Sequence, residues 1–157
     1  MRKIIPLLAL LTAMCACSSI DCPLNQSVYA HYAMEGENAP LKDTLSVIAI
    51  RQNAADTTLL NSKVNASTFD VPMSYTGGED ILIFEMTDTN HVTRTDTLHL
   101  LKTSVPHFES MECSPVFFHT LTDVRYTTHT IEAVTISKPL VNNDTETNIT
   151  ITFKPRD

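Results

Sequence analysis

The sequence predicts an all-β protein, an antiparallel β-sandwich of immunoglobulin type with seven to ten strands. Three observations carry that expectation. No stretch sustains the 3.6-residue apolar period of an amphipathic helix. Short runs rich in valine, isoleucine, threonine and aromatic residues recur along the chain, several of them alternating apolar with polar. Turn signals separate the runs, the clearest being Gly77-Gly78-Glu79-Asp80. No internal repeat or linker is visible, so residues 26–157 read as one domain.

The strands follow in order. Gln26–Met34 is the first, with mixed alternation. Thr44–Arg51 (TLSVIAIR) comes after a turn containing Pro40, and Thr57–Asn61 is short. Ser67–Val71 stops at Pro72, whose missing N–H suits an edge or a strand end. Asp80–Met86 (DILIFEM) is apolar enough for a central strand. Thr87–Arg94 reads as a polar loop. Asp96–Lys102 (DTLHLLK) places Leu98 and Leu100 on one face and Thr97, His99 and Leu101 on the other. Pro106–Pro115 reads as irregular. Val116–His119 and Asp123–Thr128 read as a hairpin or a broken strand. Thr130–Ser137 is expected to carry a bulge near Glu132. In Thr147–Phe153 the alternation is cleanest, with Ile149, Ile151 and Phe153 inward and Thr150 and Thr152 outward.

The N-terminus is of another kind. Arg2 and Lys3 precede an apolar run from Ile4 to Ala16. As a helix the run would cover about 20 Å, short of the ~30 Å hydrocarbon core of a bilayer. Residues 1–16 therefore read as a signal peptide rather than a membrane span. Met14-Cys15-Ala16-Cys17 resembles a bacterial lipobox. Small Ala16 precedes Cys17, which is the expected lipid acceptor, carrying fatty acyl chains such as palmitate. Met14 in the usual leucine position departs from the pattern. Ser18, in place of an aspartate, points to the outer membrane, and Ser18–Asp21 lacks the acidic run of a surface-export signal. Residues 17–25 are then a lipidated end and a short tether.

Four cysteines sort accordingly. Cys15 leaves with the signal peptide and Cys17 carries the lipid. Cys22 and Cys113 remain as an even pair in an oxidising compartment, where a disulfide is favoured. It would close a loop of 113 − 22 = 91 residues. Metal and nucleophilic roles for Cys113 stay open. No C-x-x-C pair supports zinc, and Glu109 and Glu112 beside Cys113 disfavour a thiolate. From Ser18 to Asp21 the tether reaches at most about 14 Å. A domain pinned at Cys22 sits close to the membrane.

The full chain has 11 basic and 18 acidic residues. Without Arg2 and Lys3 the balance is 9 − 18 = −9. An acidic domain lacking a basic stripe is unsuited to nucleic acid and to anionic lipid. With three glycines there is little material for phosphate cradles or oxyanion loops. The metalloprotease, serine-hydrolase and calcium-loop patterns are missing. Ser110, Ser114, His119 and Asp123 supply triad residue types, as any serine-rich β domain does. His107, Glu109, Glu112 and His119 are the weak metal candidates: imidazole and carboxylate suit a divalent transition ion, but their spacing fits no known signature. No cofactor is expected.

Three aspartate–threonine steps, Asp43-Thr44, Asp56-Thr57 and Asp96-Thr97, resemble O-glycosylation sites on exported proteins of some gut anaerobes. Thr44, Thr57 and Thr97 are thus candidate glycan acceptors. Chance placement competes, because threonine suits strands.

The stretches CSSIDCPLNQSVYAHY, FDVPMSYTGGEDILIFEM, DTLHLLKTSVPHFESMECSPVFFHTLT and VNNDTETNITITF resemble a family of small uncharacterised lipoproteins of Gram-negative gut anaerobes. That family is defined only as a domain of unknown function. The resemblance implies an envelope lipoprotein with a β-sandwich; it supplies no activity and no catalytic residue. The expected function is a non-enzymatic binding or accessory module, lipid-anchored in the cell envelope. It would sit at the outer membrane, on the periplasmic face or the surface, facing an envelope protein or glycan. The alternatives are a pilus-type subunit using edge strands, or a metal-dependent enzyme or metal carrier at His107 and His119.

Overall fold

The computed structural model describes residues 22, 27–75 and 77–155. The expected signal peptide (1–16) and the acceptor Cys17 lie outside the described residues, as does the tether apart from Cys22. Ten strands follow one another: β1 (Tyr29–Glu35), β2 (Thr44–Ile50), β3 (Thr57–Lys63), β4 (Thr68–Pro72), β5 (Glu79–Thr87), β6 (Thr93–His107), β7 (Val116–Tyr126), β8 (Ile131–Ile136), β9 (Leu140–Val141) and β10 (Ile149–Phe153). They form two sheets, one in the order β4-β1-β10-β8 and the other in the order β3-β2-β5-β6-β7-β9.

The result is the expected β-sandwich. One ladder departs from purely antiparallel sheets: β1 and β10 run parallel, with Tyr32 opposite Ile149 and Glu35 opposite Thr152. The first and last strands of the domain thus meet in the middle of the small sheet. At the end of β1, Gly36 has φ +93° and a Cβ there would lie 3.0 Å from Thr152 Cγ2, so glycine suits both the turn and the close approach.

Alternation decides which side chains are buried. In β10, Ile149, Ile151 and Phe153 face the core while Thr150 and Thr152 stay half-exposed. β5 is central between β2 and β6, as its apolar character predicts. β4, closed by Pro72, is an edge strand. Between the sheets Tyr32 stacks on Phe69 with centroids 4.7 Å apart, and Phe84 meets both rings at 6.1–6.3 Å.

Four segments differ from the sequence reading. β6 extends through Pro106 and His107, because Pro106 and His107 pair with Phe117 and Val116. β7 is one strand where two pieces were expected. Its register shifts so that Leu101 faces Asp123 and Lys102 faces Leu121, leaving Thr122 as an extra residue. The inward parity changes there, from His119 and Leu121 to Val124 and Tyr126, which reads as a break in the sequence. The loop expected over Thr87–Arg94 is a tight turn, with the Asp88 side chain accepting the N–H groups of Asn90 and Val92. β9, two residues long, was not anticipated. The bulge at Glu132 is present: Thr152 faces Ala133 and Phe153 faces Ile131.

β6 has 15 residues. At about 3.3 Å each it runs roughly 45 Å and defines two poles. The loop 108–115 lies at one pole. The turn 88–92 lies at the other, beside the segments 36–43 and 127–130.

Candidate functional site

Cys22 and Cys113 form a disulfide, with Cα atoms 5.5 Å apart. The pairing favoured by the sequence is therefore present. It ties the chain ahead of β1 to the loop between β6 and β7. The metal and nucleophile roles left open for Cys113 are removed, because its sulfur is bonded.

The residues weighed as a metal group are not gathered. His107 lies level with Val116, whereas His119, three residues further along β7, points to the opposite face. His107 stacks on Phe118 at 4.3 Å in an exposed position. His119 is buried, and Ser104 Oγ lies 2.9 Å from its Nδ1. Glu109 and Glu112 are exposed in the loop. Among the described residues no three His, Cys, Asp or Glu side chains are placed to hold a metal. The triad residue types are scattered too, with Asp123 on the outer face opposite Leu101.

At the pole away from the disulfide an open hollow of about 480 Å³ lies between the segment 36–43, the turn 88–92 and the chain after β10. That volume falls in the range of small-ligand sites, about 300–1,000 Å³. Its floor is apolar, from Leu41, Met86 and Phe153. Its wall is charged, from Lys42, Asp43, Asp88, Arg94, His129 and Lys154. Several of these groups are already occupied. Asp88 caps its turn, Lys154 Nζ donates to Thr128 O, and His129 Nδ1 lies 2.9 Å from Thr95 O. Lys42 and Arg94 are exposed and engage no other described residue. The groups left to meet a ligand are cations.

Asp96 shapes this wall from behind. Its carboxylate is buried and accepts five hydrogen bonds: from Thr127 Oγ1 at 2.7 Å, Thr130 Oγ1 at 2.5 Å, and the N–H groups of His129, Thr130 and Ile131 at 2.7–2.9 Å. Burial alone would raise its pKa. The donors, led by the Thr130 and Thr127 hydroxyls, outweigh that and hold the carboxyl down at about 2. The turn 127–130, which carries His129 to the hollow, is thereby fixed to β6.

A second hollow, of about 350 Å³, includes His31 and Asp70. Its histidine is committed: His31 Nδ1 lies 2.6 Å from Asp70 Oδ1 and Nε2 lies 2.8 Å from Asp144 O. Its lining holds no lysine or arginine.

A further polar cluster has its two basic groups, Lys102 and His119, buried in the core. Lys102 Nζ reaches Ser74 and Asp80, and His119 lies close by. Burial lowers the Lys102 pKa and Asp80 partly restores it. Burial, then the neighbouring Lys102 charge, push His119 down to about 4. A neutral imidazole and an ammonium without solvent access stabilise or strain a core; they do not meet substrate. Parity along DTLHLLK could have found this cluster, since Asp96 and Lys102 share the face of Leu98 and Leu100. Lys42, Arg94, His129 and Lys154 belong to no motif, so the first hollow had no sequence signal.

The three candidate glycan acceptors differ in setting. Asp43 and Asp96, which precede Thr44 and Thr97, are buried. Asp56 is exposed, and Thr57 opens edge strand β3. All three acceptor threonines are half-exposed, and Asp56-Thr57 is the step whose aspartate is exposed as well.

A family model described as a family of unknown function (DUF6452) matches residues 44–153, from the start of β2 to the end of β10. No curated protein and no solved structure matches the chain.

Proposed function

The chain belongs to the DUF6452 family of unknown function, and on that footing we propose that it is a non-enzymatic binding or accessory module of the cell envelope. A lipid on Cys17, of the palmitate class, holds it to the outer membrane, on the periplasmic face or the surface. Its partner is an envelope protein or glycan that presents an anionic group to the hollow. One observation carries the reading: the Cys22–Cys113 disulfide fastens one pole to the tether, and the hollow, with Lys42 and Arg94 unengaged among the described residues, opens at the other. A module clamped at its base and cationic at its tip is suited to meeting a partner away from the membrane. The net negative charge of the chain disfavours anionic partners that lack a matching contact at that tip.

The experiment is site-specific photo-cross-linking in native membranes. A photoreactive residue replaces Asn90 in the hollow or Thr135 on the exposed side of β8. A discrete adduct from position 90, absent from position 135 and lost in K42E/R94E, is the expected result. Equal adducts at both positions, or none at position 90, reject the hollow. Intact mass of the native protein and of Cys17→Ser tests the anchor separately.

A pilus-type subunit would present an exposed edge or a groove lacking one strand. β1 and β10 are hydrogen-bonded to each other, so no groove opens in the middle of the small sheet, and an edge such as β3 is where that alternative would pair. The metal-carrier alternative loses its site, because His107 and His119 face opposite ways.

A further inference from the structure

We infer that the loop between β6 and β7 is a membrane-contact surface that dips into a neutral or zwitterionic lipid leaflet. The inference rests on the lipid-anchor reading above. Three large apolar side chains stand out within seven residues of sequence. Met111 is 101% exposed, Val105 63% and Phe108 60%. Single exposed apolar residues are ordinary on any protein surface. These three share one pole, and Phe118 continues their surface, lying opposite Val105 and stacked on His107.

The disulfide makes the position of this group consequential. Met111 is two residues from Cys113, which is bonded to Cys22. From Cys22 back to Cys17 the tether is five residue steps and reaches at most about 18 Å. Acyl chains buried in a leaflet therefore hold Cys113 within a tether length of that leaflet. The exposed side chains beside it have the lipid interface as their nearest neighbour.

Charge selects the kind of lipid. Between Thr103 and Pro115 there is no lysine or arginine, while Glu109 and Glu112 flank Met111. No lysine or arginine there attracts anionic headgroups, and the two exposed carboxylates repel them. Contact is apolar, insensitive to salt, and compatible with phosphatidylethanolamine or phosphatidylcholine. Seated this way, the domain holds its cationic hollow about 45 Å away, at the other end of β6.

The chain has no tryptophan, so a single introduced one reports unambiguously. The full lipoprotein, purified from its native membrane, is reconstituted in phosphatidylcholine vesicles with and without brominated acyl chains. Met111→Trp is compared with Val92→Trp at the opposite pole, and Phe108→Trp serves as a second reporter in the loop. The expected result is blue-shifted emission from Met111→Trp and Phe108→Trp, at least two-fold quenching by brominated chains, and no change at 0.5 M salt. Val92→Trp stays at the wavelength of water and is quenched by aqueous iodide. The intact mass of the same sample separates the two readings. Acylated protein whose loop tryptophans remain open to iodide overturns the membrane contact alone. A blue shift without bromolipid quenching shows a protein partner or second copy on the loop, and also overturns it. A mass without acyl groups overturns the anchor and this inference together.

Discussion

Lys102 Nζ lies 2.7 Å from Asp80 Oδ2, and none of the lysine side chain is exposed. The same ammonium donates to Ser74 O at 2.5 Å and to Ser74 Oγ at 2.9 Å. Three donors thus meet three acceptors. The pair joins the inner face of β6 to the residues just before and at the start of β5. Asp80→Ala leaves a buried cation uncompensated and is expected to cost about 3–5 kcal/mol. The double variant D80A/K102M removes both charges and is expected to cost less than Asp80→Ala alone. Urea denaturation of the three proteins checks the order. A double variant less stable than the single one would show that the lysine packs well without its partner.

Two groups make stability depend on acid. The folded pKa of His119, about 4, lies below its unfolded value of 6.5. The unfolded chain therefore binds this proton first. Its contribution is complete above pH 6.5 and is lost as pH falls towards 4, on the order of 3 kcal/mol. Asp96 has a folded pKa of about 2 against 3.8. Its contribution is present above 3.8 and is lost as pH falls towards 2, on the order of 2 kcal/mol. Denaturation midpoints measured from pH 8 to 2.5 are expected to fall in both windows. His119→Leu is expected to flatten the upper window and leave the lower one; an unchanged upper window assigns the loss to another group.

Tyr32 is fully buried, and among the described residues its hydroxyl is the one buried side-chain polar atom without a hydrogen bond. Burial, with the charge of Asp80, pushes the phenol well above its ordinary range. An unsatisfied hydroxyl of this kind costs about 1–3 kcal/mol. Tyr32→Phe keeps the stack on Phe69 and is expected to raise stability by about 1 kcal/mol. A higher urea midpoint at unchanged slope is the readout, and a fall of 1 kcal/mol or more would reveal a buried water as the missing partner.

The disulfide closes a loop of sequence separation 91. Chain entropy assigns such a closure about 4–5 kcal/mol. C22S/C113S is expected to lose most of that, and unreduced protein is expected to titrate no free thiol at Cys22 or Cys113. Free thiols at these two positions without denaturant would show the bridge unformed in the native protein.

Much of the fold is legible in the sequence where side chains alternate at period two against one core. β10, β5 and β2 follow from that rule, as does the bulge at Glu132. The rule fails at Thr122, where one extra residue turns the inward parity over and makes a continuous β7 look like two pieces. It fails again at β9, since two residues carry no period. The disulfide was legible for a different reason: with Cys15 expected in a leader and Cys17 expected to carry a lipid, elimination left Cys22 and Cys113 as the favoured pair.

The candidate site was not legible. Lys42, Arg94, His129 and Lys154 come from four separate segments, and only the turn fixed by Asp96 and the chain leaving β10 bring them around one hollow. Similar residue types grouped in sequence, His107 to His119, were separated because a strand sends alternate side chains to opposite faces.

The layered β architecture follows from local periodicity in the sequence, and the cysteine pair that a count of thiols favoured is the one bonded in the fold. Which strand pairs run parallel, which charges are buried and which cations are unengaged among the described residues come from the tertiary arrangement. Those depend on contacts between residues far apart in the chain, and no local pattern encodes them.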